Sequence, residues 1–293
     1  MAQGRYRRPH MLANSPPHLA PPVIHAIDAN HPAGLARALD DLRQGFLTWR
    51  LAFTLARLDL RNRYRGSVLG PFWFTLSAAA MIGGLGVLYS QLFKTDLAGY
   101  LPHLAVSLIV WQVIAGLVND ATTCMTAVDG VIRQLKLPYT THALRCTFRN
   151  ALTALHQLPL ILIVFIILGH NPGWVALLAL PGLFLLCVNG IAASMLLGML
   201  CARFRDIGPI VGNILQLAFF MTPIMWRPEM LGEVKVWLPL NPFYAILETV
   251  RGPLVEGGGD LIAWAAALAF TFLHMAIAFS FFVRFRGRIA FWV

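Results

Sequence analysis

Charge is scarce in this 293-residue chain: Asp, Glu, Lys and Arg together make up 12% of it, against 58% hydrophobic residues. That balance excludes a water-soluble globular domain as the default. Cysteine is scarce too. Cys124, Cys146, Cys187 and Cys201 show no C-x-x-C spacing, so a zinc frame or disulfide scaffold has no starting point, and the thiols are expected as small apolar fillers. No G-x-x-x-x-G-K-[ST] loop occurs, and Gly257 to Gly259 lack the lysine, so the chain is not expected to hydrolyse nucleotide itself. H-E-x-x-H and G-x-S-x-G are also missing, and no internal repeat of the secondary-transporter kind is found. An intramembrane enzyme would need a carboxylate pair or metal cluster that the sequence does not offer.

What is there is a set of long uncharged runs. A bilayer core of about 30 Å needs about 20 mostly apolar helical residues. Six runs approach that length: Val68 to Phe93, Leu101 to Asn119, Ala151 to Leu168, Trp174 to Cys201, Ile207 to Trp226, and Leu261 to Val283. His170, Asn171 and Pro172 close the third into a tight hairpin with the fourth, and Pro181 predicts a tilted or broken fourth helix. The net charge of +10 is explained by its distribution. Of the 23 basic residues, all but Lys94, Arg227, Lys235 and Arg251 fall on the side of the N terminus. This positive-inside pattern puts both termini in the cytoplasm and makes nucleic acid an unneeded partner.

Residues 1–33 hold six prolines and little periodic apolar content, which predicts a disordered cytoplasmic tail without a cleaved signal. Residues 34–66 read as an interface helix region. Arg50, Arg57, Arg61 and Arg65 share one stripe of its wheel, with Leu51, Leu55 and Leu58 on one flank and Trp49, Phe53, Leu60 and Tyr64 on the other. The arginines either reach lipid phosphates or are the positive flank of the first span. Residues 67–293 form the six-span domain. Between spans two and three, Val131, Ile132, Leu135 and Leu137 would be exposed in a mere linker, which points to docking. Between spans five and six, Pro239 and Pro242 bracket Asn241 between two apolar stretches, Val234 to Leu240 and Phe243 to Val250, predicting two short re-entrant helices.

Ionisable groups within the runs are few. Asp120 and Asp129 sit at the inner end of span two, and His156 and His274 are expected as neutral imidazoles hydrogen-bonded between helices. Aromatics gather near span ends; Trp73, Tyr89, Phe219 and Phe220 are candidates to face a glycan, since sugar rings present apolar C–H faces.

Four stretches together carry a resemblance: "DLRNRYRGSVLGPFW" (59–73), "PGLFLLCVNG" (181–190), "CARFRDIGPIVGNILQLAFFMTPIMW" (201–226) and "LNPFYAILETVRGPL" (240–254). In order and spacing they resemble the permease subunit of type 2 ABC exporters for lipid-linked polysaccharides such as O-antigen, capsule and teichoic acid. The resemblance implies an all-α membrane protein with six transmembrane helices, an N-terminal amphipathic interface helix and two re-entrant helices before the last span. It places lipid-pyrophosphate entry at Arg61, Arg63, Arg65, Leu69 and Gly70. It places coupling to the ATPase at Arg133, Gln134, Leu135, Lys136 and Leu137, and an outer gate at Pro239, Asn241, Pro242 and Tyr244. Implied partners are a second copy of the chain, an ATP-binding subunit that supplies ATP and Mg, membrane lipids, and an undecaprenyl-diphosphate-linked glycan in a bacterial inner membrane. A drug or lipid exporter and a non-transport assembly factor are the alternatives.

Overall fold

A computed structural model describes residues 34–70 and 72–293; the expected tail, 1–33, lies outside the described residues. The elements in chain order are α1 (Gly34–Leu47), α2 (Trp49–Arg63), α3 (Phe72–Phe93), α4 (Leu97–Thr123), α5 (Asp129–Gln134), α6 (Tyr139–Leu168), α7 (Ala179–Arg203), α8 (Ile207–Met221), α9 (Pro242–Val255), α10 (Leu261–Phe285) and α11 (Ile289–Trp292). Short 3-10 segments precede α7, at Gly173–Leu178, and α9, at Pro228–Leu240. The chain is an all-α, multi-span membrane protein, and among the described residues five helical stretches are long and apolar enough to cross a bilayer: α3, α4, α6, Gly173–Arg203 and Leu261–Trp292.

Several expected boundaries move, each for a local reason. The interface stretch is two helices, not one, because Thr48 leaves helical geometry and its hydroxyl turns back on the Gln44 and Gly45 carbonyls. The run Ile207 to Trp226 yields a helix of only 15 residues, about 22 Å at the standard rise. It stops because Thr222, which precedes Pro223, is extended (φ −96, ψ 135), as a residue before proline prefers. Pro181 falls in the first turn of α7, where its missing N–H costs nothing; the break lies earlier, where 3-10 geometry gives way to α at Ala179. The first of the two stretches around Asn241 is a 3-10 segment kinked at Gly232 (φ 57) rather than an α-helix.

The central post is α4, in which every residue from Pro102 to Trp111 is buried among α3, α6, α7, α8 and α9. By contrast α3 buries only Ala78, Ile82, Gly86 and Ser90, a one-sided stripe that leaves its other faces to lipid. On the other side of the post, α7 approaches α9 so closely that a Cβ on Gly182 would meet the Thr249 carbonyl carbon at 2.7 Å. Backbone cannot swing aside as a side-chain tip can. Gly182→Ala is therefore expected to destabilise the protein by about 1–3 kcal/mol in a thermal unfolding assay, while Gly83→Ala, with nothing within 4 Å, leaves the melting temperature within error.

Candidate functional site

Two ion clusters stand at opposite ends of α4. The first fastens α2. Ala52, Ala56 and Leu60, one turn apart, bury a narrow face against α6; of the expected flanks Trp49, Leu51, Phe53 and Leu58 remain exposed, Leu55 and Tyr64 are half-buried, and Leu60 joins the buried face. Beside that face, Arg145 of α6 grips the Asp59 carboxylate with two N–H groups, Nε at 2.6 Å and Nη2 at 2.5 Å. Arg149 bridges Asp59 (Nη1, 3.0 Å) and Asp120 of α4 (Nε, 3.0 Å), and Asn150 donates to the same Asp120 oxygen at 2.8 Å. Burial alone would raise the Asp59 carboxyl, but Arg145 and then Arg149 outweigh it and hold it below the ordinary aspartate value. Burial pushes the Tyr64 hydroxyl up, and that buried oxygen has no partner. A little apart, Asp41 of α1 accepts from the Tyr139 and Thr140 amides at 3.2 and 3.1 Å, satisfying the start of α6, and pairs with Arg286 at 2.9 Å.

The sequence-derived entry residues surround this joint. Arg61 and Arg65 are exposed and make no ion pair among the described residues, whereas Arg63 lies 3.7 Å from Asp120 with its side chain 45% exposed. Leu69 is exposed, and Gly70 takes a left-handed conformation (φ 54) with its amide donating to Ser67 Oγ at 3.1 Å. Of the coupling residues, Arg133, Gln134, Leu135 and Lys136 are exposed and Leu137 half-buried; α5 ends as Leu135 turns extended. The Arg133 guanidinium donates to the Val293 backbone oxygen, and Ile132 packs inward near α11, so part of this segment's apolar surface is covered by the chain itself.

The second cluster sits on α9. Arg251 is fully buried; it pairs with Glu248 one turn back, donates to the Pro223 carbonyl at 2.6 Å and the Ser107 hydroxyl at 3.4 Å, and lies 3.3 Å from Glu256. The Tyr244 ring is 5.8 Å from its guanidinium carbon, within cation–π range. Burial would raise the Glu256 carboxyl, but His103 and Arg251 facing it hold it down at about 2. At the other end of α9, Asn241 caps the helix by accepting from the Phe243 amide at 3.0 Å and the Tyr244 amide at 3.4 Å, and donates to Thr222 at 3.1 Å. Thus Asn241 and Tyr244, with buried Pro239 and exposed Pro242, lie at one hinge-like turn.

Among the aromatic candidates, Trp73 and Phe220 are exposed, Tyr89 stacks near Phe93 at 5.3 Å, and Phe219 joins a group with Trp111 and Phe243. Trp111 and Phe243 are among the aromatics expected near span ends, and Trp111 packs against both Phe219 and Phe243. Sequence reasoning missed the buried Arg251–Glu248 pair, although charges at i and i+3 inside the apolar stretch from Phe243 to Leu254 were a readable signal. His274 Nδ1 donates to Asn189 Oδ1 of α7 (3.0 Å), the expected interhelical bond, while His156, expected to bond between helices, instead donates to the Leu152 carbonyl of its own helix. The cysteines are free, and among the described residues no His, Cys, Asp and Glu group could hold a metal ion.

A family model described as ABC-2 type transporter matches residues 50–255, which runs from α2 through α9 and includes both ion clusters except Glu256. Similar curated proteins include the "O-antigen export system permease protein RfbA" of Myxococcus xanthus, 22% identical over 209 residues that cover 70% of this chain and 80% of that protein. A protein of the same description from Klebsiella pneumoniae is 22% identical over 214 residues, covering 71% and 81%.

Proposed function

This chain belongs to the ABC-2 type transporter family, whose members are transport subunits rather than enzymes, and we propose that it is the permease of an exporter for a lipid-linked polysaccharide. The cargo is an undecaprenyl-diphosphate-linked glycan of the O-antigen or capsule kind, moved from the cytoplasmic to the outer face of a bacterial inner membrane. The observation that carries this reading is the similarity to O-antigen export permeases over four-fifths of their length; the family match takes in the arginine-rich stretch before α3.

In this reading 34–66 is the interface region and 67–293 the permease domain, with α8 and the segment after it completing a sixth crossing. Both termini are cytoplasmic. The Pro228–Leu240 segment and α9 dip back into the outer leaflet and form the gate around Asn241. Energy comes from a separate ATPase, which holds ATP and Mg and receives the exposed residues Arg133 to Leu137. A second copy of the chain completes the pathway.

Arg61 and Arg65 are free to fork onto phosphate oxygens at the cytoplasmic surface. Arg63, shared with Asp120, belongs partly to the joint that fastens α2. The double substitution Arg61→Ala with Arg65→Ala is expected to lower surface glycan at least tenfold, scored by immunoblot of cell-surface polysaccharide, with permease abundance and ATPase co-purification unchanged. Full surface glycan in that strain rejects the entry site.

A further inference from the structure

Along α10 lie three hollows that share walls. A cavity of about 200 Å³ sits where the last turns of α7 and α10 meet α11, walled by Met199, Phe281, Phe285 and Trp292 together with Arg203 and Arg288. Phe281 and Phe285 also wall a shallow hollow beside Arg284, and Ile277 joins that hollow to a third of about 350 Å³. The α10 wall of the third is Phe270, Leu273, His274 and Ile277. These positions recur every three or four residues, so the hollows form one groove on one face of α10. Leu273 and Ile277 are exposed in it.

The groove is as long as one lipid tail is deep. From Leu273 to Phe285 α10 rises about 18 Å, and one leaflet supplies about 15 Å of a bilayer's hydrocarbon core. Its charged end lacks a partner. Arg203, Arg284 and Arg288 are exposed and make no ion pair among the described residues, and no Asp or Glu lines the groove. Arg203 lies 5.3 Å from the Phe204 ring and Arg288 5.9 Å from the Phe285 ring; those rings position the cations but carry no oxygen to accept their N–H groups. Arginines flank other spans too. Arg203 and Arg288 differ in walling a cavity continuous with an apolar groove.

A soluble protein could meet the arginines but could not follow the groove to Leu273, which lies inside the uncharged run Leu261 to Val283. A second copy seated here by two-fold symmetry would bring the arginines of both chains to the same end of one interface, where like charges repel. A lipid with a net negative headgroup suits both ends. Its phosphate oxygens accept from the guanidinium groups while a tail covers the apolar wall.

We propose that this groove binds one anionic phospholipid of the leaflet at the Arg288 end, its phosphate between Arg203 and Arg288 and one acyl chain along Phe281, Ile277 and Leu273. The site rests on the chain's crossing a bilayer; only the naming of that leaflet as cytoplasmic rests on the export reading.

The test is native mass spectrometry of the full permease with its ATPase, titrated in detergent with phosphatidylglycerol or with phosphatidylcholine of identical acyl chains. Phosphatidylglycerol is expected to bind about fivefold more tightly or better, the worth of one arginine at an anionic surface. The preference should vanish in Arg203→Gln with Arg288→Gln. It should survive in Arg43→Gln with Arg57→Gln, which removes two exposed arginines of α1 and α2. Ile277→Trp narrows the groove without changing charge and should weaken phosphatidylglycerol binding, and excess inorganic phosphate should not displace the lipid. Equal binding of the two lipids, a preference unchanged in the Arg203, Arg288 variant, an equal loss in the Arg43, Arg57 variant, full binding in Ile277→Trp, or displacement by phosphate overturns the site. Loss of the ATPase or of a second copy from the Arg203, Arg288 variant with lipid binding unchanged gives the arginines to that partner and overturns it too. The measurement reads no transport, so its failure leaves the export reading standing.

Discussion

Arg251→Met is expected to destabilise the purified permease by about 3–5 kcal/mol, measured by thermal unfolding of the detergent-solubilised protein. The wild-type guanidinium is fully buried and serves Glu248, Glu256, Pro223 and Ser107 at once. Methionine fills similar volume but leaves the Glu248 carboxylate and the Pro223 carbonyl without their donor, and breaking one half of a buried pair costs far more than the pair itself contributes. Pairing Arg251→Met with Glu248→Leu should therefore recover most of the lost stability, because a buried ion pair and an apolar replacement of similar volume are close in free energy. Export should not recover, if the charge fixes α9 in one position against α4. A double variant as unstable as the single one would place the main cost at Glu256 or in the packing around Tyr244.

Arg149→Ala is expected to loosen α2 without melting the rest of the bundle. Among the described residues Arg149 is the only side chain that joins Asp59 of α2 to Asp120 of α4, and both carboxylates are mostly buried. Losing charge-assisted hydrogen bonds of this kind costs about 2 kcal/mol, which is a factor of about 30 in a local opening equilibrium. Hydrogen exchange across Trp49–Arg63 should accelerate accordingly, with α10 unchanged. Arg149→Lys should rescue little, because one ammonium cannot fork between two carboxylates. The same joint predicts an acid limit. Asp59 titrates below the ordinary 3.8, so its contribution is complete above that pH and disappears as pH falls through the lower folded value. Exchange in α2 should be flat from pH 6 to 8 once intrinsic rates are removed, and should rise only below about pH 4.

The spans were legible because their signal is local. An uncharged run predicted Val68 to Phe93 and the helix is Phe72–Phe93; Leu261 to Val283 became Leu261–Phe285. The start of α6 was not legible for the opposite reason. Arg145 and Arg149 stopped the apolar run at Ala151, although the helix begins three turns earlier, at Tyr139. Those arginines are tolerated because Asp59 and Asp120 come to meet them from α2 and α4, and no window of sequence contains all four. Counting charges by side also hid Arg251, which counted as one of four basic residues opposite the N terminus but is the anchor of a buried network. Arg63 changed as well, from a third copy of the same phosphate ligand to a residue shared with Asp120. The breaks at Thr48 and Thr222 depended on a hydroxyl bonding backward and on a following proline, and the second was readable from Thr222–Pro223.

The export reading stands or falls on movement of the glycan itself. Proteoliposomes containing the permease and its ATPase, loaded with an undecaprenyl-diphosphate-linked oligosaccharide, should show ATP-dependent transfer of the sugar to the opposite leaflet, scored by protection from or access to an added lectin. The expected result is a gain in transferred glycan that requires ATP and falls at least tenfold in the Arg61→Ala, Arg65→Ala variant. ATP hydrolysis with no redistribution of glycan, or equal transfer without ATP, would contradict it.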